Sequence, residues 1–240
     1  MILALDAGNT RIKWGLHDGD TWQARGWAAT ADGAGLGDAW KELAVPGRIV
    51  ASNVAGPQAA MRIEEACKGW SARIEWVVAV ERQCGVHNGY EVPAQLGSDR
   101  WAALIAARAV APEGCVVVNA GTAMTVDALT ADGVFLGGLI VPGFAAMRRA
   151  LTEGTAAIKA GAGHYRDTPR NTSDAVYSGA LSAMAGAVRH MNVLLAGEIG
   201  RTPACLLSGG DARLLLPLLS GEARMVDNLV LDGLIRIARA

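Results

Sequence analysis

Apolar residues come in short runs separated by glycines and turn residues. Residues 2–5, Ile-Leu-Ala-Leu, read as a buried strand. Residues 12–16 and 21–27 read as a hairpin around Asp18-Gly19, and residues 48–54 as another strand. Ala- and Leu-rich stretches with helical spacing alternate with them, at 57–69 and at 99–110. The second carries Trp101, Leu104, Ile105 and Arg108 around the barrel of the helix. A new strand starts at 116–118, helices follow around 173–195, and a short strand at 204–207 runs into Ser208-Gly-Gly-Asp211. The alternation predicts α/β architecture.

The pattern repeats. Leu3-Ala-Leu-Asp-Ala-Gly8 has an echo in Val116-Val-Val-Asn-Ala-Gly121, each a strand that ends in a polar residue, then Ala-Gly, then a Thr shortly after. The turn Asp18-Gly19 matches Asp132-Gly133 at almost the same offset, which is near half the chain. Two homologous domains, 1–112 and 113–240, explain this. Chance similarity of two buried strands in an Ala-, Gly- and Val-rich chain is the alternative.

Composition narrows the class. With 240 residues, 51% of them hydrophobic and 19% charged, the chain buries enough apolar surface to offset ordering entropy. Lys and Arg total 22 against 23 Asp and Glu, so no overall basic field draws a nucleic-acid backbone. The opening residues reach a carboxylate at Asp6, unlike a secretory leader. The most apolar stretch, 133–147, holds four glycines and a proline and is shorter than the ~20 residues of a membrane span. Cys67, Cys84, Cys115 and Cys205 have neither zinc nor disulfide spacing, and His17, His87, His164 and His190 share no metal spacing. A cytoplasmic protein without membrane or nucleic-acid partners is expected. P-loop, dinucleotide-binding, zincin and nucleophile-elbow motifs are all missing.

Three segments carry candidate chemistry. Asp6-Ala-Gly8-Asn9-Thr10 ends a strand in a carboxylate and turns through groups that suit phosphate and magnesium. Glycine admits an oxyanion close to the main chain, Asn9 and Thr10 donate hydrogen bonds, Asp6 holds the metal or its waters, and Lys13 neutralises charge. An ordinary tight hairpin capped by Asp6 is the competing reading. Gly121-Thr122 forms a second such turn, and the two would clamp a polyphosphate between domains. In the loop 89–100, Asp99 suits a helix N-cap, which would lower its pKa and weaken it as a base. Arg100 offers a planar fork for a carboxylate or phosphate, so the Asp99-Arg100 pair suits a substrate with a hydroxyl and an anionic end.

Taken in order, these segments resemble the type III pantothenate kinases of the acetate and sugar kinase and actin-like superfamily, relatives of which are also called Bvg accessory factor homologues. The resemblance spans nearly the whole chain. It rests on Asp6 to Thr10, Gly89-Tyr90, Pro93, Gln95 to Arg100, Gly121-Thr-Ala123, Thr125 and Asp127. Gly137-Gly138, Pro142-Gly143, Gly154-Thr155, Asn171-Thr172 and Ser208-Gly-Gly210 extend it.

The resemblance implies two ribonuclease H-like, actin-like ATPase halves with a nucleotide cleft between them, and a homodimer with pantothenate near its interface. Asp99 would be the general base toward the pantothenate hydroxyl. Tyr90, Gly97 and Arg100 would hold that substrate, helped by Thr172 of the partner subunit. Asp6, Gly8, Asn9, Thr10, Lys13, Gly121 and Thr122 would face the phosphates of ATP, and Gly209 and Gly210 would leave room for adenosine. Asp6 and Asn119 would serve magnesium, and Asp127 a monovalent cation, potassium or ammonium. The family pattern carries Asp where this chain has Asn119, so a charge is lost at the second cradle and magnesium handling is weakened. A non-catalytic nucleotide-binding accessory protein and another small-molecule kinase of the superfamily are the rival readings. The tryptophans, among them Trp14, Trp22, Trp27 and Trp76, are expected in core and hairpin packing, and Arg148-Arg149 on a solvated helix face.

Overall fold

The computed structural model describes residues 1–31, 34–155, 158, 161–219, 221 and 223–240. It divides into two units, which are described in turn.

In the first, β1 (Ile2–Ala7), β2 (Arg11–His17) and β3 (Trp22–Ala29) form an antiparallel meander, followed by α1 (Ala34–Trp40), β4 (Arg48–Asn53), α2 (Pro57–Cys67) and β5 (Ile74–Trp76). The sheet order is β3-β2-β1-β4-β5, with β4 and β5 parallel to β1. A small hairpin of β6 (Arg82–Gln83) and β7 (Val86–Asn88) and a 3-10 turn at Pro93–Gln95 lead into α3 (Ser98–Val110). Alternation along the strands decides what each face does. Leu3, Leu5, Ile12, Trp14 and Leu16 join Leu36 and Trp40 of α1 and Ile63 of α2 in one core. Asp6 projects from the other face.

The second unit repeats the plan. Strands β8 (Cys115–Ala120), β9 (Ala123–Leu129) and β10 (Val134–Pro142) form a meander, and α4 (Phe144–Gly154), α5 (Thr172–Ile199), β11 (Ala204–Ser208), α6 (Ala212–Leu215) and β12 (Ala223–Met225) follow. Its strand order β12-β11-β8-β9-β10, with β11 and β12 parallel to β8, is that of the first unit. Val116, Val118, Met124 and Val126 pack on Leu181, Met184 and Val188 of α5. Shared topology supports duplication over chance similarity. Residues 173–195, expected as more than one helix, lie within the single 28-residue helix α5, Thr172–Ile199, started by Asn171, whose side chain accepts from the Asp174 N–H, and ended by Gly200 in the left-handed region.

The domain boundary differs from the sequence expectation. The first unit takes Met1–Val110 and the tail Asn228–Ala240, and the second takes Ala111–Asp227, instead of a single division at 112/113. The tail forms α7 (Leu229–Arg239), which buries Leu231, Leu234, Ile235 and Ala238 in the first unit, where it packs on α3 and β1. Gly233 permits the close approach: a Cβ there would lie 1.8 Å from the Ala102 carbonyl oxygen.

Two minor expectations also change. Arg148 does not lie on a simply solvated face. Its guanidinium stacks over Phe144 and Tyr177, and it donates to the Gly161 carbonyl at 2.8 Å. Trp27 is 57% exposed rather than packed, with the Arg11 guanidinium over its ring at 4.2 Å.

Candidate functional site

Asp6 stands at the C-terminal end of β1, paired in register with Lys13 of β2 and Ser52 of β4. The turn beyond it is held from both sides. The Gly8 N–H donates to the Arg11 carbonyl at 3.1 Å, the Thr30 hydroxyl donates to the Gly8 carbonyl at 2.6 Å, and the Thr30 N–H donates to the Thr10 carbonyl at 3.0 Å. Asn9 and Thr10 are exposed at its tip. Burial pushes the Asp6 carboxyl up to about 7, against the pull of Lys13 and with a further push from the charge of Asp99.

That elevation has a direct consequence for stability. Between the ordinary value of 3.8 and about 7, the folded chain holds a proton that the unfolded chain releases, so stability falls as pH rises through this window. Metal-free protein is expected to lose on the order of a few kcal/mol between about pH 4 and pH 8 from this group. Urea unfolding in chelator, with Asp6→Asn flattening the dependence, checks it.

The second segment is built around α3. Asp99, half-buried in its first turn, accepts from the Arg100 N–H at 2.8 Å. Desolvation nevertheless raises its pKa, opposed by that N–H and by the Arg100 charge. Asp99 is the second residue of α3 and not its N-cap, and burial outweighs the hydrogen bond from the next residue, so the direction is opposite to the one expected for a capping Asp. Gly97 has a definite steric role, since a Cβ there would lie 2.6 Å from Asp99 Oδ1. Arg100 is buried at 6% exposure, donates to the Tyr90 hydroxyl at 2.9 Å and lies over the same ring at 5.6 Å. Asn88 fixes the loop by accepting from the Tyr90 N–H and donating to the Pro93 carbonyl, both at 3.1 Å. Asp6, Lys13, Tyr90, Gly97, Asp99 and Arg100 thus all belong to the first unit.

In the second unit Asn119 holds the place that Asp6 holds in the first, one residue from the end of the central strand. It pairs with Ser208 of β11 as Asp6 pairs with Ser52. The Gly121 N–H donates to the Ala123 carbonyl at 3.0 Å, and the Gly143 N–H to the Thr122 carbonyl at 3.1 Å, while Thr122 is exposed. Gly209 has φ +98, and a Cβ there would meet the Ala120 carbonyl oxygen at 2.2 Å, whereas a Cβ on Gly210 meets nothing within 4 Å. Asp127 is 1% exposed on β9, in register with Val117 and Gly138. Thr172 is exposed in the first turn of α5.

Thr30, Ser52, Asn88 and the steric part of Gly143 belong to the site without being marked by any motif in the sequence. Ser52 had a signal in following the apolar run of Ile49, Val50 and Ala51. Thr30 and Gly143 act through contacts distant in sequence.

Two β-β-β-α-β units, each with a polar residue near the end of its central strand followed by a glycine turn, define the actin-like ATPase and sugar-kinase fold. A putative 2-dehydro-3-deoxygalactonokinase from Sinorhizobium meliloti has that architecture at TM-score 0.62 and 15% identity, covering 100% of this chain and 98% of its own. The sequence profile of type III pantothenate kinase matches residues 2–193. The chain is 51% identical over 239 residues to the type III pantothenate kinase of Nitrosospira multiformis, covering 100% of this chain and 91% of that one. It is 50% identical over 241 residues to that of Aromatoleum aromaticum, covering 100% and 98%. The chain belongs to the type III pantothenate kinase family. Among the described residues, no helix is long and apolar enough to cross a membrane.

Proposed function

We propose that the chain transfers the γ-phosphoryl group of ATP to the primary hydroxyl of pantothenate, giving 4′-phosphopantothenate, the entry step to coenzyme A, as a cytoplasmic homodimer. The carrying observation is the Asp99-Arg100 pair at the start of α3, a carboxylate of raised pKa beside a buried guanidinium ordered by Tyr90. A carboxylate with an ordinary pKa of ~4 is too weak to deprotonate an alcohol outright. Asp99 therefore orients the hydroxyl and takes its proton late, as the oxygen–phosphorus bond forms and the bond to ADP breaks. Its raised pKa suits that acceptance. Arg100, with Tyr90 and Gly97, receives the acid end of pantothenate, and Thr172 of the partner subunit assists. The residues proposed for the nucleotide are Gly8, Asn9, Thr10, Lys13, Gly121 and Thr122 for phosphates and Gly209 and Gly210 for adenosine.

The residues present fit magnesium. Asp6 offers hard oxygen ligands and is a buried carboxylate at raised pKa, which a divalent cation relieves. Asp6 would hold magnesium and Asn119 is proposed as a further ligand; the ion would supply neutralisation of charge on the phosphates. Asp127, a buried carboxylate, is the proposed ligand for potassium or ammonium.

The test is coupled detection of ADP from purified protein with ATP, magnesium and pantothenate, with sodium, potassium or ammonium as the sole monovalent cation. Turnover that requires pantothenate and either potassium or ammonium is expected. Asn119→Asp is expected to lower the magnesium concentration for half-maximal rate by ~3–10-fold, since a charged ligand replaces a neutral one. ATP binding without turnover in both proteins would instead favour the accessory reading.

A further inference from the structure

Ser52 is fully buried at 0% exposure near the end of β4, following Ile49, Val50 and Ala51, which are equally buried. A hydroxyl there gives up hydration that alanine would never have required, so its partner defines its use. That partner is Ser98, the first residue of α3, with the two Oγ atoms 2.8 Å apart. Ser52 is also the register partner of Asp6, and Ser98 immediately precedes Asp99. The hydroxyl pair therefore joins the strand level that carries one carboxylate to the helix turn that carries the other.

We infer that Ser52 is a positioning residue for the Asp99 carboxylate, acting through the hydroxyl of Ser98. The inference rests on the phosphoryl-transfer reading above. Asp99 follows Ser98 in the first turn of α3, and its Oδ1 is tied to that turn by the Arg100 N–H at 2.8 Å. A displaced helix start carries the carboxylate with it. The pair is also neutral. The charges of Asp6 and Asp99 already oppose each other, so an acidic link would add repulsion and a basic one would draw both carboxylates out of place.

The experiment compares Ser52→Ala, Ser98→Ala, the double variant and Ser98→Thr in the full chain, with kcat, both KM values and thermal unfolding. Each alanine variant is expected to lower kcat ~10-fold with KM for ATP within about twofold, because misplacement affects the reacting geometry rather than nucleotide binding. The double variant should be no worse than either single one, and Ser98→Thr should recover most of the rate. A folded Ser52→Ala protein with unchanged kcat, or single losses that multiply in the double variant, overturns the inference. If Ser52→Ala does not fold, the contrast of Ser98→Ala with Ser98→Thr decides on the same terms. Absence of pantothenate turnover in the unsubstituted chain would refute the phosphorylation reading instead. Positioning is then read from the 13C resonance of the Asp99 carboxyl in ligand-free protein. A changed resonance in Ser52→Ala upholds it and an unchanged one overturns it.

Discussion

Asp99→Asn is expected to reduce kcat by ~10²–10³-fold while leaving ATP affinity within about threefold of the starting value. The substitution is nearly isosteric, and the amide oxygen still accepts the Arg100 N–H that the carboxylate accepts at 2.8 Å. Folding and the start of α3 are thereby preserved. What is lost is the ability to take a proton from the attacking hydroxyl, and with it the charge that orients that hydroxyl toward phosphorus. The consequence for Asp6 runs the other way. Asp99 is one of the charges that raise the Asp6 pKa, so neutralising it lowers that pKa and favours the ionised form that suits magnesium. Nucleotide binding should therefore survive, and isothermal titration with ATP and magnesium beside steady-state kinetics separates the two effects. Equal losses in turnover and ATP binding would show that Asp99 holds the nucleotide rather than the acceptor.

How far this site was legible depends on whether the physics was local. The turn after Asp6 was readable because glycine, asparagine and threonine at a strand end prescribe their own geometry. The echo at residues 116–121 announced a second unit with the same strand order. Contacts that close over long sequence distances were not readable. The pattern of Leu231, Leu234, Ile235 and Ala238 marks a helix with an apolar face, but nothing in it says that the face returns to α3 of the first unit. The sign of the Asp99 shift failed for a related reason: a hydrogen bond to the next residue is local, whereas desolvation depends on everything packed around it. Ser52 looks like a minor interruption of an apolar strand until Ser98 is found 2.8 Å away. Gly209 was expected to spare space for a ligand, yet its strongest constraint is the backbone of Ala120.

Gly143→Ala should be among the most damaging single-methyl additions in the second unit. The backbone at Gly143, φ −71 and ψ 173, is open to any residue, so the cost is steric and not conformational. A Cβ would lie 1.9 Å from the Gly121 carbonyl oxygen and 2.8 Å from that of Thr122, both main-chain atoms of the proposed phosphate turn. No side-chain rotation relieves such an overlap. Either the turn or the start of α4 must move by an ångström or more, straining the 3.1 Å bond from the Gly143 N–H to the Thr122 carbonyl. A loss of ~2–4 kcal/mol in unfolding free energy is expected, the scale of overpacking against unyielding neighbours. ATP affinity should fall at least ~10-fold with the displaced N–H groups, as charge-assisted hydrogen bonds are lost. Gly210→Ala supplies the contrast, because its added methyl meets no protein atom within 4 Å. It should fold as stably as the parent, so any weakening of ATP binding reports on the ligand alone. Comparable destabilisation by the two substitutions would refute the steric account of Gly143. Intact ATP affinity in a folded Gly143→Ala protein would remove Gly121 and Thr122 from the phosphate site.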